Sequence, residues 1–258
     1  MDLTVLRDDL IDGLEHPTKG VLENERLSAA MRTVPRHEFV DIDSPEAAYT
    51  DQAFTERGTT VLSPSLVARL LEALAPRPDD EVLVVGCGVG YTAAVLAEMV
   101  GPTSVSAVDL ARSLVIDARR NLERTGYGAV FVDRRDGADG LPEYAPFDRI
   151  LVEAAAVQPP RALLDQLTDT GRLVMPLGAN DQDLVAIGGD SDPDGELEII
   201  DRFGPVRFKP LLVEGEQPDT IERNRTAREE QERAQQQAQR RHGWEQDWID
   251  WDRTLNER

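Results

Sequence analysis

The stretch from Glu81 to Tyr91, E-V-L-V-V-G-C-G-V-G-Y, restricts the possible folds more than any other part of the chain. Val82 to Val85 form a continuous apolar run, as expected of a buried strand. The run breaks at Gly86, Gly88 and Gly90, and a helical pattern begins at once in Thr92 to Val100. Strand, glycine turn and helix in that order make the first half of a nucleotide-binding βαβ unit. Glycine tolerates positive φ, and its missing Cβ lets a ligand lie against the backbone. Amide N–H groups at the helix start then face that ligand.

Ser104 to Val108 reads as the second strand, and it ends at Asp109, 109 − 86 = 23 residues after the first glycine. An acid about 20 residues on is placed to bond ribose hydroxyls. Nicotinamide and flavin enzymes favour G-x-G-x-x-G. Here Gly86-x-Gly88-x-Gly90 is followed by Tyr91, which resembles class I methyltransferases that bind S-adenosylmethionine. A dinucleotide site and a turn without any ligand remain as alternatives.

At 258 residues the chain has room for one α/β domain with additions. Its net charge is −21, from 49 acidic against 28 basic residues. Lys19 and Lys209 are the only lysines, so 28 − 2 = 26 basic residues are arginine. The acids run along the whole chain, a pattern expected of a halophilic surface whose self-repulsion is screened by salt. Phosphate contacts need a basic patch, so nucleic acid is not an expected partner. No run approaches the ~18 apolar residues of a membrane span, and no N-terminal stretch reads as a signal peptide. Cys87 is the only cysteine, which forbids an internal disulfide and points to a cytoplasmic protein. Its position inside the glycine turn suggests a small residue under steric limits. His16, His37 and His242 are scattered, so no metal site is expected.

Before the glycine turn, apolar spacing predicts helices over Leu3 to Leu14, Asn24 to Met31 and Ser65 to Leu74, with an irregular stretch from Asp51 to Gly58. After Asp109 it predicts a helix over Ala111 to Thr125 and strands over Ala129 to Val132 and Phe147 to Val152. A helix over Pro160 to Leu167 and a strand over Gly171 to Pro176 follow. Leu184 to Gly188 and Leu197 to Phe203 form a hairpin about Asp192-Pro193-Asp194-Gly195. Asp136-Gly137 falls at the mouth of the sheet, where open α/β folds bind ligands; an Asx turn explains the pair equally well. Beyond Glu214 the composition turns polar, and Thr220 to Arg241 reads as a solvated or partly disordered helix. Trp244, Trp248, Trp251 and Leu255 recur at helical spacing, a face suited to docking on the chain's own body or on a second subunit or partner.

Several segments in order resemble protein-L-isoaspartate O-methyltransferases. These are M-R-T-V-P-R-H-E-F-V, A-Y-T-D, G-T-T-V-L-S-P-S-L-V-A, the glycine-turn unit, R-D-G-A-D-G-L-P-E-Y-A-P-F-D-R-I-L-V-E-A-A-A and L-L-D-Q-L-T-D-T-G-R-L-V-M-P-L-G. The resemblance spans roughly residues 27–211 and implies a doubly wound, Rossmann-like α/β sheet. An N-terminal helical layer (1–78) and a cofactor-binding core (79–213) would make one domain, followed by a C-terminal helical extension (214–258). It implies S-adenosylmethionine as cofactor and isoaspartyl-containing proteins or peptides as substrate, in protein repair. Gly86, Cys87, Gly88, Gly90, Tyr91, Asp109, Leu110, Asp136, Gly137 and Glu153 would face the cofactor. Pro35, Arg36, Asp51 and Leu62 would face the substrate.

Three positions depart from the family pattern. Leu62 stands where the family has a serine thought to contact the substrate carboxylate, and leucine cannot donate a hydrogen bond. Thr60 or the shifted Ser63 are the expected substitutes in the catalytic site. Val84 stands where the strand usually carries an acid near the methionine moiety. Glu153 replaces a threonine, and would either hold the cofactor's ammonium or repel an anionic substrate. Two other functions stay open: a methyltransferase of this fold with another acceptor, and a non-catalytic interaction protein.

Overall fold

Val82–Val85 lies in the interior of a seven-stranded sheet, with every side chain buried. The computed structural model describes residues 2–56, 58–189 and 198–211. The turn about Asp192 and the Trp244, Trp248, Trp251 and Leu255 face, with the rest of the expected extension, lie outside the described residues.

The N-terminal layer comprises α1 (Leu3–Glu15), α2 (Glu25–Thr33), 3₁₀ turns at Arg36–Phe39 and Pro45–Tyr49, the strands β1 (Phe54–Glu56) and β2 (Thr59–Val61), and α3 (Pro64–Leu74). Each helix starts at a side-chain cap: Asp2 accepts from Thr4, Asn24 from Arg26 and Leu27, and Ser63 from Leu66. The remainder is β3 (Val82–Val85), α4 (Tyr91–Val100), β4 (Val105–Asp109), α5 (Arg112–Arg124), β5 (Phe131–Arg134), β6 (Phe147–Val152), α6 (Arg161–Leu164), β7 (Leu167–Leu177), β8 (Gln182–Gly188) and β9 (Ile199–Val206). Met1–Glu214 forms one unit of the chain and contains all of these elements.

The sheet order is β5-β4-β3-β6-β7-β8-β9. The strands from β5 to β7 are parallel, and β8 and β9 complete an antiparallel meander. The chain winds outward from β3 to β5, then returns to β6 on the other side. Right-handed crossovers place helices on opposite faces when the winding direction reverses. Accordingly Val115, Ala118 and Leu122 of α5 join the cluster on one face, with Val82, Val84, Ala107 and Leu151 of the sheet. Leu163 and Leu164 of α6 join the other, with Leu83, Val85, Val108 and Val152. The two coats are unequal. The N-terminal layer, α4 and α5 cover the first face, while the second receives the four-residue α6 and the chain around Leu141 and Phe147.

The expected helix at Pro160 to Leu167 shrinks to Arg161–Leu164 because β7 begins at Leu167, paired with Phe147 across a register shift. β7 thus starts four residues before the expected Gly171 and takes in the polar T-D-T. The third strand runs over Phe131–Arg134 instead of ending at Val132. As an edge strand it tolerates the polar Asp133 and Arg134. Within the stretch expected to be irregular up to Gly58, Phe54–Glu56 forms β1, which pairs antiparallel with β2 and sets Phe54 opposite Val61.

Candidate active site

All three glycines of the turn take positive φ, 82° at Gly86, 54° at Gly88 and 91° at Gly90. The N–H groups of Gly86 and Cys87 donate to the Val108 carbonyl, at 2.8 and 3.2 Å, and so anchor the turn on β4. The glycines have different neighbours. A Cβ on Gly90 would stand 3.4 Å from Ala118 and Leu122, so this glycine lets α4 meet α5. A Cβ on Gly88 would meet only the Thr59 hydroxyl, at 3.5 Å.

Asp109 ends β4 beside this turn. Its Oδ2 accepts the Gly88 N–H at 3.0 Å and its Oδ1 the Ala111 N–H at 2.9 Å. Burial pushes its carboxyl pKa up, and the amide bonds from Ala111 and Gly88 only partly oppose this. An ionised carboxylate has about four acceptor positions, so two amide bonds leave capacity for a diol. Leu110, next in the chain, accepts Arg134 Nε at its carbonyl, 3.2 Å away.

Asp136 does form an Asx turn, accepting the Ala138 N–H at 2.9 Å. The pair is also at the sheet mouth: a Cβ on Gly137 would collide with Val85, the last residue of β3. Glu153 follows β6, and its N–H donates to the Val85 carbonyl at 2.9 Å. Its Oε1 is buried without a hydrogen-bond partner. Burial raises its pKa to about 7, with Thr92 opposing and Asp109 reinforcing the rise.

Cys87 is buried, and burial pushes its thiol well up, aided by the charges of Asp109 and Glu153. It stays protonated and serves packing. Tyr91 is also buried; its ring meets the Phe39 ring at 5.6 Å and the Arg36 guanidinium at 5.1 Å. Burial takes its phenol to about 12. Tyr91 thus joins α4 to the N-terminal layer.

The expected substrate residues divide between supporting and open roles. Arg36 is 1% exposed, with Nε 3.0 Å from the Ala48 carbonyl and Nη2 3.2 Å from that of Gln52. It ties the two 3₁₀ turns together, and Pro35 begins the first of them. Asp51 accepts the Ser65 N–H at 3.0 Å and pairs with Lys19 at 3.3 Å. Burial would raise its pKa, but the Ser65 bonds and Lys19 outweigh this and lower it. Leu62 packs against the N-terminal core. The Ser63 hydroxyl caps α3, 3.4 Å from the Leu66 N–H, and lies 3.2 Å from Ser65 Oγ.

Strand alternation separates the adjacent threonines. Val61 is buried in the core, so Thr59 shares its face and reaches the glycine turn, while Thr60, paired with Thr55, projects from the other face. Thr59 was not among the expected site residues, although the apolar Val61 two residues on already marked its face. Lys209 is a second addition. Its Nζ donates to the Gly58 carbonyl at 2.6 Å, and its own carbonyl accepts the Ala155 N–H at 2.8 Å. The last described segment therefore joins the β1–β2 hairpin to the loop after β6. Outside the glycine turn, a 280 Å³ cavity lies between α5 and the Arg36–Phe39 turn, lined in part by His37, Asp41, Thr59, Val89 and Asn121. Among the described residues, no group of three or more acidic, histidine or cysteine side chains could hold a metal ion, and no helix is long and apolar enough to cross a membrane.

A mostly parallel sheet whose order reverses beside β3, a three-glycine turn and an acid closing β4 define a class I, Rossmann-like methyltransferase fold. Residues 7–216 match the family described as Protein-L-isoaspartate(D-aspartate) O-methyltransferase, and the chain belongs to that family. It is 42% identical over 198 residues to the protein-L-isoaspartate O-methyltransferase of Aeropyrum pernix, covering 76% of this chain and 75% of the relative. The enzyme of that name from Methanopyrus kandleri is also 42% identical, over 212 residues, covering 81% and 92% of the two chains. A solved protein-L-isoaspartate O-methyltransferase superposes with a TM-score of 0.70 at 28% identity, covering 85% of this chain and 69% of that one.

Proposed function

We propose that the protein is an S-adenosylmethionine-dependent O-methyltransferase that esterifies isoaspartyl carboxylates in damaged proteins and peptides. The observation that carries this reading is the glycine turn where the ends of β3, β4 and β6 meet. There Gly88 leaves the backbone bare beside a carboxylate with spare acceptor capacity, in a member of this family. These residues fit the cofactor: Gly86 and Gly88 would give it room, Asp109 would accept its ribose hydroxyls, and Asp136-Gly137 would border its adenine.

When bound, the cofactor supplies an electrophilic methyl group. An isoaspartyl carboxylate is ionised at neutral pH and is already a nucleophile, so the chain needs no general base. The protein's work is to align the acceptor carboxylate and exclude water. With Leu62 packed on the core and Ser63 engaged in capping, the hydroxyl of Thr59 is the better candidate for meeting it.

The lone cysteine supports a reducing compartment such as the cytoplasm. The −21 charge supports work at high salt. The spacing of Trp244, Trp248 and Trp251 supports a contact surface for a second copy or partner, on an extension (214–258) separate from the catalytic domain (1–213). The test of function is methyl transfer from labelled cofactor to an isoaspartyl peptide and its normal aspartyl twin, across salt concentrations. Label should enter the isoaspartyl peptide only. Cofactor binding with no isoaspartyl methylation would refute the substrate, and no binding would refute the methyltransferase reading.

A further inference from the structure

Glu153 stands where the sheet order reverses, hydrogen-bonded through its N–H to the end of β3. Alternation along β6 sets its direction. Leu151 belongs to the face covered by α4 and Val152 to the opposite face, so Glu153 turns toward α4. There it lies beside Gly86, whose added Cβ would stand 3.8–3.9 Å from it, and beside Thr92 in the first turn of α4. Its Oε1 is buried and has no hydrogen-bond partner. The titratable groups facing it are Asp109 on β4 and Cys87 in the turn, an acid and a thiol. Neither supplies a positive charge. Val84, on the same face of the neighbouring strand, supplies none either. A carboxylate with a buried, unpartnered oxygen and no counter-charge is costly, and a cation arriving with a ligand would relieve it.

We propose that Glu153 receives the α-ammonium of the cofactor's methionine moiety, so that a carboxylate just after β6 does the work for which β3 has no acid. This rests on the methyltransferase reading. The ammonium is a better match than the sulfonium, because a carboxylate held against the sulfonium would compete with the acceptor for the methyl group. A pH dependence follows. Burial places Glu153 at about 7 in the free protein, whereas an ammonium needs the carboxylate form. Below neutrality, binding must release a proton, and affinity falls. Between pH 6 and 8 the ionised fraction of such a group rises about tenfold.

Two probes isolate the effect by calorimetry. S-adenosylhomocysteine carries the ammonium and no sulfonium; 5′-methylthioadenosine carries the adenosine and no amino acid. Asp109 would meet the ribose of both, so the difference between them reports on Glu153. Native protein should bind S-adenosylhomocysteine about tenfold more tightly at pH 8 than at pH 6 relative to methylthioadenosine, with extra proton release at pH 6. Glu153→Gln, checked for folding by thermal melting, should abolish this difference, weaken S-adenosylhomocysteine at pH 8 by about tenfold or more, and spare methylthioadenosine. If Glu153→Gln leaves S-adenosylhomocysteine binding unchanged, or weakens both ligands equally, the assignment of Glu153 is wrong while the methyltransferase reading stands. If the native protein binds neither ligand, both fall together.

Discussion

Alanine at Gly88 and alanine at Gly90 should damage the protein in different ways, although the two glycines are two residues apart in one turn. Gly88 has φ 54°, close to the left-handed helical region, which costs an alanine about 1–2 kcal/mol. Its new Cβ would meet only Thr59 Oγ1 at 3.5 Å, an ordinary contact, so no packing strain is added. The methyl would instead occupy the bare backbone position against which the cofactor is proposed to lie. Gly90 has φ 91°, and its Cβ would press on Ala118 and Leu122 at 3.4 Å. Backbone strain of about 1–3 kcal/mol is then joined by close contacts with α5 at the edge of van der Waals distance, which leave the methyl little room. Urea melts and S-adenosylhomocysteine calorimetry on both variants would separate the effects. Gly88→Ala should lose about 1–2 kcal/mol of stability and at least about tenfold in affinity. Gly90→Ala should lose more stability, with affinity largely kept in the folded fraction. The reverse order, or full affinity in Gly88→Ala, would show that the open side of Gly88 is not the ligand side.

Asp109→Ala should weaken both S-adenosylhomocysteine and methylthioadenosine by about 1.5–3 kcal/mol, the range for a hydrogen bond to a charged group; unchanged affinity in a folded variant would remove Asp109 from the site. On one isoaspartyl peptide, Thr59→Val should lower turnover more than a Ser63 change that keeps the α3 cap, such as Ser63→Asp. Leu62→Ser should raise it if a hydroxyl there can join Thr59 at the acceptor, while a loss of stability alone would mean that Leu62 serves the core. Without ligand, Glu153 favours the fold while protonated and loses that contribution as pH rises from 4.5, its ordinary value, through about 7. Native protein should therefore lose up to roughly 3 kcal/mol across that window relative to Glu153→Gln, and parallel stability curves would contradict the buried acid. Melting temperature should rise with salt as the −21 charge is screened, and a flat profile from low to molar salt would count against the halophilic reading.

Features that depend on a few neighbouring residues were readable before any coordinates. The Val82–Val85 run, the glycine spacing and the distance to Asp109 together specify a strand, a turn of positive φ and a second strand ending in an acid. The starts of α2 and α3 were near Asn24 and Ser63, because caps and apolar periodicity act within one or two helical turns. The family segments extended that reading to the cofactor and the acceptor.

Direction and burial could not be read the same way, because they depend on which distant elements come together. Arg36 looks like a surface ligand for an anion, yet carbonyls at Ala48 and Gln52 and the rings of Phe54 and Tyr91 enclose it. Thr59 and Thr60 are equivalent as letters, and only the packing of Val61 on the core turns the first to the glycine turn. Ser63 looked available for catalysis until α3 claimed its hydroxyl as a cap. Glu153 shows the difference most clearly. Its charge is visible in the chain, but the missing partner and the raised pKa exist only once β3, β4 and α4 surround it, since desolvation is a property of all the atoms nearby and not of the residue's neighbours in the chain.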